Sequence, residues 1–265
     1  MNEIITSKNN PNIKYTKKLL TQPRFRKDES AFVIEGVRLC CDALGSAVEV
    51  QTVFYTEKCL IKFTNIVNEI IGSAKNSFTV SEEVVKLISD TDTPQGLVCV
   101  CKNGELHEQI DFAKNIVLLE NIQNPSNLGS ILRTCDAMNA KNIIISGDSC
   151  DIYSPKVLRG SMGAVFRLNV KVSEDFQKSL LDLKSKNYKI YATVPSQNAK
   201  ILGESEVFNE KSAVVFGNEG VGVTDKTLSL CDEKITIPMN RNSESLNVSV
   251  AAGIVIWEMA KKGGF

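Results

Sequence analysis

Phe216-Gly217-Asn218-Glu219-Gly220-Val221-Gly222, then Ile235-Thr236-Ile237-Pro238-Met239, then Ser243-Glu244-Ser245-Leu246-Asn247-Val248-Ser249-Val250-Ala251-Ala252-Gly253: the reading of this stretch decides the fold. Two turns rich in Gly or Asn each follow an apolar, strand-like run, and the second opens straight into a helix. Such turns expose backbone amides and carbonyls at the end of a strand, where α/β proteins hold their ligands. The spacing Gly-x-x-Gly-x-Gly is not a dinucleotide fingerprint, and no Gly-Lys-Ser or Gly-Lys-Thr follows, so it is not a phosphate-cradling loop either. Glycine neighbours leave the Glu219 carboxylate accessible, and Ser243 or Ser245 is expected to cap the helix that follows.

Working outward, residues 116–119, 142–146, 166–170, 189–194, 213–216 and 234–237 read as strands. Residues 127–138, 174–186 and 246–261 read as helices, and Ser154-Pro155 opens another. This alternation predicts a parallel sheet covered on both faces. Upstream, strands at 31–35, 48–55, 78–80 and 96–101 and helices at 36–44 and 61–71 form a second α/β unit with its own core. The polar stretch 102–114 between them, which holds His107, reads as a linker. The expected domains are therefore 1–105 and 112–265.

Composition sets the outer bounds. At 265 residues, with 43% hydrophobic and 23% charged, the chain is globular rather than disordered. No apolar run approaches the roughly 20 residues of a membrane span, and no signal segment opens the chain, so a cytoplasmic protein away from the membrane is expected. The eight cysteines contain no Cys-x-x-Cys pair and there is a single histidine, so the expectation is no metal, with the thiols as small core residues. Net charge is zero, yet residues 8–27 carry Lys8, Lys14, Lys17, Lys18, Arg24, Arg26 and Lys27 with no acidic residue. A solvated helix face is the ordinary reading of such a run, and a phosphate-contacting arm the functional one.

A second cluster follows the strand at 116–119: Glu120-Asn121-Ile122-Gln123-Asn124-Pro125-Ser126-Asn127-Leu128-Gly129-Ser130-Ile131-Leu132-Arg133. Asn124 and Pro125 make the turn, and Asn127 is placed to cap the helix or to project over the strand end. Arg133 is expected on roughly the same side as Asn127, where a guanidinium would grip a phosphate or stabilise an oxyanion; a solvated helix arginine is the bland alternative. Between the clusters, Arg159-Gly160-Ser161-Met162-Gly163 signals either a close approach of backbone or ligand, or a plain helix end.

In combination these segments resemble the SpoU (TrmH-like) family of RNA ribose 2′-O-methyltransferases, in the SPOUT superfamily. The resemblance rests on Asn124-Pro125-x-Asn127-Leu128-Gly129-x-x-x-Arg133, Gly217-Asn218-Glu219-Gly220-x-Gly222, and Ile237-Pro238-Met239 through Ser245-Leu246-Asn247-Val248-Ser249-Val250-Ala251, with Arg159-Gly160-Ser161-x-Gly163 between them. It covers residues 115–262, and it departs from the family pattern at Asn124, where Asp is commoner. More weakly, Phe32-Val33-Ile34-Glu35-Gly36 and Ser89 through Gly96 resemble the family's substrate-binding domain, which is similar to ribosomal protein L30e.

The resemblance implies an α/β C-terminal domain threaded into a trefoil knot, a small L30e-like α/β N-terminal domain, a homodimer, and S-adenosyl-L-methionine as cofactor. It also implies residue roles. Asn127, Arg133, Glu219, Ser245 and Asn247 would line the methyl-transfer site. Thr193, Val194, Gly217, Asn218, Gly222, Ile237, Met239 and Leu246 would surround the cofactor. Lys14, Lys17, Lys18, Arg24, Arg26 and Arg159 would contact RNA. The expected substrate is 23S ribosomal RNA, with guanosine favoured as target. The alternatives are a tRNA ribose and a non-catalytic RNA-binding assembly factor.

Overall fold

The computed structural model describes residues 4–102, 109–203, 207–208, 211–240, 242–263 and 265. His107 and the rest of 103–108, part of the expected linker, fall outside them. The chain falls into two compact units, residues 1–106 with 151–166, and residues 107–150 with 167–265.

In the first unit the basic stretch is not an extended arm. Asn10 caps α1 (Pro11–Thr21), its side chain accepting from Asn12 N, and Pro11 supplies the first helical position. Gln22 breaks the helix with extended backbone, and α2 (Pro23–Glu29) follows. Ile13, Thr16 and Leu19 are buried at a spacing of three, which turns Lys14, Lys17 and Lys18 outward.

Arg26 departs from its neighbours and is corrected here: at 5% exposure it is a core residue, not an RNA contact. Its Nε donates to Asp151 at 2.7 Å and its Nη1 to the carbonyls of Leu19 and Leu20. Removing the guanidinium would leave a carboxylate and two helix-end carbonyls unpaired. We expect Arg26→Ala to cost about 3 kcal/mol in urea unfolding. Arg26→Met, which keeps the packing, should lose less.

Beyond these helices come β1 (Ala31–Glu35), α3 (Val37–Leu44) and β2 (Glu49–Tyr55). Then α4 (Glu57–Lys62) and α5 (Thr64–Ser73) stand where one helix was expected, because Phe63 leaves helical geometry at φ −129° while the apolar spacing continues across it. β3 (Asn76–Thr79), α6 (Glu82–Leu87) and β4 (Leu97–Lys102) complete a sheet of order β1-β4-β2-β3. β4 runs antiparallel to β1 and β2, and β3 runs parallel to β2. Cys40, Cys59, Cys99 and Cys101 are buried here, and all eight thiols are free.

The second unit begins with β5 (Ile116–Leu119), α7 (Pro125–Ala137) and β6 (Asn142–Ser146). Residues 151–166 then pack with the first unit as α8 (Pro155–Ser161) and a 3-10 turn at Ala164–Phe166, with Tyr153 and Phe166 stacked on Phe32. The strand expected from Phe166 therefore starts later, as β7 (Asn169–Ser173). Ser154 precedes α8 but makes no capping hydrogen bond.

The chain continues through α9 (Phe176–Ser185), β8 (Lys189–Thr193), β9 (Lys200–Ile201), β10 (Ser212–Phe216), α10 (Asp225–Leu230), β11 (Glu233–Thr236) and α11 (Val248–Lys261). The sheet order is β7-β6-β5-β10-β8-β11-β9, with every neighbouring pair parallel. β5, β6 and β10 are buried along their whole length, so both faces are covered. Ile116, Leu118, Ile190, Ala192, Ala213 and Val215 form one core with Phe176, Leu180 and Leu183 of α9. Among the described residues no helix is long and apolar enough to cross a membrane, and no group of three or more His, Cys, Asp or Glu is placed to hold a metal ion.

Candidate functional site

β5 and β10 lie side by side, and the sheet grows away from them in both directions. The loops leaving their carboxyl ends therefore open at a topological switch point, the position at which parallel sheets bind ligands. These loops are the two clusters singled out above, and they are hydrogen-bonded to each other at several points.

Glu120, directly after β5, is buried at 4% exposure and accepts from Thr224 N (3.0 Å), Thr224 Oγ1 (2.7 Å) and Thr227 Oγ1 (2.5 Å). That fixes the far end of the β10 loop, where Thr224 also caps α10. Next along, Asn121 takes φ +53°, donates its N–H to Ser146 Oγ and accepts from Asn218 Nδ2 at 2.9 Å on its carbonyl. Asn218 closes the turn: its Oδ1 accepts from Gly220 N and Val221 N, and its backbone exchanges two 3.0 Å bonds with Gly222. The turn is so tight that a Cβ on Gly217 would lie 2.2 Å from the main chain of Gly222 and Val223. Glycine is obligatory there.

Glu219 ties the second segment to the first, and Asn127 carries the link on to the third. Its carboxylate accepts from Gln123 N (3.2 Å), Asn124 N (3.0 Å) and Asn127 Nδ2 (3.0 Å). Asn127 Oδ1 in turn accepts from Asn247 Nδ2 at 3.1 Å. Asn247 Oδ1 accepts from Ser249 N and Oγ, which makes Asn247 the cap of α11. Burial pushes the Glu219 carboxyl up, but the donors from Asn127, Asn124 and Gln123 outweigh it and hold the group below the usual carboxylate value. Accessible by sequence, Glu219 is thus a committed acceptor.

Three expectations are corrected here. Asn127 does not cap α7; Asn124 does, accepting from Ser126 N with Pro125 at the first position, so the Asn that replaces Asp keeps the capping oxygen. Asn127 and Arg133 are not on one side of α7. Six residues rotate the helix by about 600°, or 240° net, which buries Asn127 and exposes Arg133. Arg133 makes no hydrogen bond or ion pair among the described residues. Finally, neither Ser243 nor Ser245 caps α11, and Ser245 is exposed in the preceding turn.

The residues expected around a cofactor leave the neighbouring strands β8, β10 and β11 at the same end. Thr193 Oγ1 donates to Val215 O, and Val194 N to Ile235 O, so these two are tied into the sheet. The backbone N–H groups of Ile237, Met239 and Leu246 make no hydrogen bond among the described residues, and Leu246 is 37% exposed. Backbone donors in this state need water or a ligand. The expected RNA contacts lie in the first unit: Lys14, Lys17, Lys18 and Arg24 are exposed, with Lys18 Nζ 5.5 Å from the Phe25 ring and Arg24 paired loosely with Asp28. Arg159 is half-buried and 2.6 Å from Asp90. Sequence reasoning missed Glu120, Thr224 and Thr227; the available signal was a carboxylate placed immediately after four buried apolar residues.

Comparison with known proteins agrees with this arrangement. Residues 114–257 match the model of the SpoU rRNA Methylase family, and residues 10–99 that of the MRM3-like substrate binding domain. The chain is 30% identical over 257 residues to the Bacillus subtilis 23S rRNA (guanosine(2553)-2'-O)-methyltransferase RlmP, covering 96% of this chain and 98% of that protein. Among solved structures it is similar to a putative RNA methyltransferase of the TrmH family from Porphyromonas gingivalis, with TM-score 0.83, 25% identity, and coverage of 96% and 98%. The fold is shared with the SpoU methyltransferase AviRb from Streptomyces viridochromogenes in complex with AdoMet, with TM-score 0.85, 21% identity, and coverage of 96% and 98%.

Proposed function

From a chain that belongs to the SpoU rRNA Methylase family, and is thereby an S-adenosylmethionine-dependent RNA ribose 2′-O-methyltransferase, we propose a narrower activity: methylation of a guanosine ribose in 23S ribosomal RNA. The observation that carries it is the hydrogen-bonded run through Glu219, Asn127 and Asn247, which joins all three family segments within a chain matched end to end by the Bacillus subtilis rRNA enzyme.

The residues present fit the cofactor. Backbone donors at Ile237, Met239 and Leu246 that are unpaired among the described residues, beside the half-buried Ile237 and Met239 side chains, suit a ligand with an apolar ring and polar edges. Backbone at Gly217, Ile237 and Leu246 would hold it, with Thr193, Val194, Asn218, Gly222 and Met239 around it. S-adenosylmethionine supplies the electrophilic methyl carbon, and the protein supplies orientation and charge. Arg133 has no hydrogen-bond or ionic partner among the described residues, and a guanidinium stays protonated, so it acts by stabilising the 2′-oxygen as that atom gives up its proton to solvent. Glu219 and Asn127 hold the two loops in register, while Asn247 and Ser245 bound the site from the start of α11.

The reading includes a homodimer. α11 buries Ala252, Val255, Ile256 and Met259, yet exposes Val250, Ile254 and Trp257 along a second stripe at i, i+4 and i+7. A matching stripe on a second copy would cover it. We expect light scattering to give twice the chain mass of 29.1 kDa, and Trp257→Glu to shift the protein to monomer. A monomeric wild type at micromolar concentration would remove the dimer from the proposal.

The reading also includes the knotted C-terminal segment and a cytoplasmic location. The test of function is incubation with tritiated S-adenosylmethionine and separated ribosomal RNA and tRNA. Label in ribosomal RNA that blocks alkaline cleavage at one guanosine is the expected result, and label in tRNA alone would overturn the substrate.

A further inference from the structure

The first unit contains a cleft of about 260 Å³ that has no part in the site described above. Its walls are Leu39 of α3 and Met162 just after α8, with the buried Leu158 of α8 beneath, and its rim is polar, with Glu35, Arg38, Asp42, Gln95 and Arg159. All of these residues lie within one compact unit. The volume falls below the roughly 300 Å³ at which drug-sized pockets begin, which suits one flat ring system rather than a large ligand.

What the cleft would bind follows from which polar groups are already engaged. Glu35 accepts from Asp90 N at 2.7 Å and from the Thr91 hydroxyl. Asp90 pairs with Arg159, an approach of 2.6 Å whose angle makes it an ionic contact rather than an aligned hydrogen bond. Gln95 spends its Oε1 on Val37 N and keeps its amide N–H groups. Arg38 is exposed and has no hydrogen-bond or ionic partner among the described residues. Of the two acids lining the cleft, Glu35 is consumed internally and Asp42 is also engaged within the protein, so the uncommitted groups are the donors of Arg38 and Gln95. A donor-rimmed, apolar-walled cleft is complementary to a flat ligand that carries acceptors.

We propose that this cleft receives one unstacked nucleotide of the RNA substrate, its base against Leu39 and Met162, and its acceptor edge or phosphate on Arg38. Single-stranded RNA is recognised through splayed-out bases, whose edges are hydrogen-bonded and which guanidinium groups contact. The inference rests on the methyltransferase reading for the identity of the ligand as RNA. It makes Arg38 a substrate-positioning residue remote in function from methyl transfer, and it gives the half-buried Arg159 a second duty as neighbour of the bound nucleotide.

The test compares wild type, Arg38→Ala, Arg38→Lys and Lys86→Ala on a 23S ribosomal RNA fragment, with cofactor affinity measured separately. A charge-assisted contact predicts that Arg38→Ala raises the RNA KM about tenfold or more. kcat and cofactor affinity should stay unchanged, and Arg38→Lys should recover only part of the loss. Lys86→Ala, at the exposed end of α6, should change KM far less. An RNA KM for Arg38→Ala equal to that of Lys86→Ala would overturn the proposal. A second arm needs no turnover. RNA substituted with 5-iodouridine is irradiated on the wild-type protein, and the adduct is mapped by mass spectrometry. Crosslinks within 35–42 or 158–162 support the cleft, and crosslinks confined to α1 and α2 overturn it. If no methyl transfer occurs at all, the functional reading fails while the crosslinks still report on the cleft.

Discussion

Arg133→Ala is expected to lower methyl transfer to RNA about a thousandfold, the loss typical of removing a single group that stabilises developing charge, while cofactor affinity and melting temperature stay at wild-type values. The structure separates these outcomes. Arg133 is exposed on α7 and bonds to nothing among the described residues, so its removal leaves no orphaned partner in the fold. Its cost must then appear in the transition state. Arg133→Lys keeps the charge but loses the planar fork of donors, and it should recover only a small part of the rate. Single-turnover methylation at saturating RNA and cofactor checks this. Near-normal turnover for the lysine variant would sink a role that depends on the guanidinium.

Glu219→Gln should fail differently, losing about a hundredfold in kcat together with stability. The carboxylate receives two backbone N–H groups and the Asn127 amide. An amide in its place presents an NH₂ to donors, and at least one of those backbone groups is left unpaired, at about 1–3 kcal/mol. The β5 and β10 loops would then lose register, and misplacement of about 1 Å suffices for a loss of this size. Protonation should mimic the substitution. Because hydrogen bonds hold the folded pKa below its ordinary value, the contribution is complete above the unfolded carboxylate pKa of about 4.3 and fades as pH falls through the lower folded value. Wild-type stability should therefore carry an acid-side loss that Glu219→Gln lacks. The pH dependence of urea midpoints between neutral and strongly acidic solution measures it, and identical curves for the two proteins would rule out the carboxylate as the titrating group.

Much of the second unit was legible because its strands are short apolar runs buried on both faces, and its turns announce themselves through Gly, Asn and Pro. Gly217 is the sharpest case, since the clash that forbids any side chain there lies within the turn itself. What could not be read was whatever depends on partners distant in sequence. The separation of Asn127 and Arg133, by contrast, was legible: a spacing of six residues itself rotates a helix well away from a shared face. Arg26 looked like the lysines around it, yet Asp151, 125 positions away, draws it inside. Glu120 was passed over because its partners, Thr224 and Thr227, are more than a hundred residues further on. β9 and α10 are too short to show a period.

The packing of residues 151–166 with the first unit bears on how this protein can be taken apart. Cutting the chain at the polar linker would not yield two modules. A fragment beginning there would carry Tyr153 and Phe166 without the Phe32 ring on which they stack, and Asp151 without its arginine. The complementary fragment would bury Arg26 with no counter-ion. Chimeras that exchange the RNA-binding half between relatives should therefore carry α8 with it, and it is at 151 and 166, rather than at the linker alone, that the splice points belong.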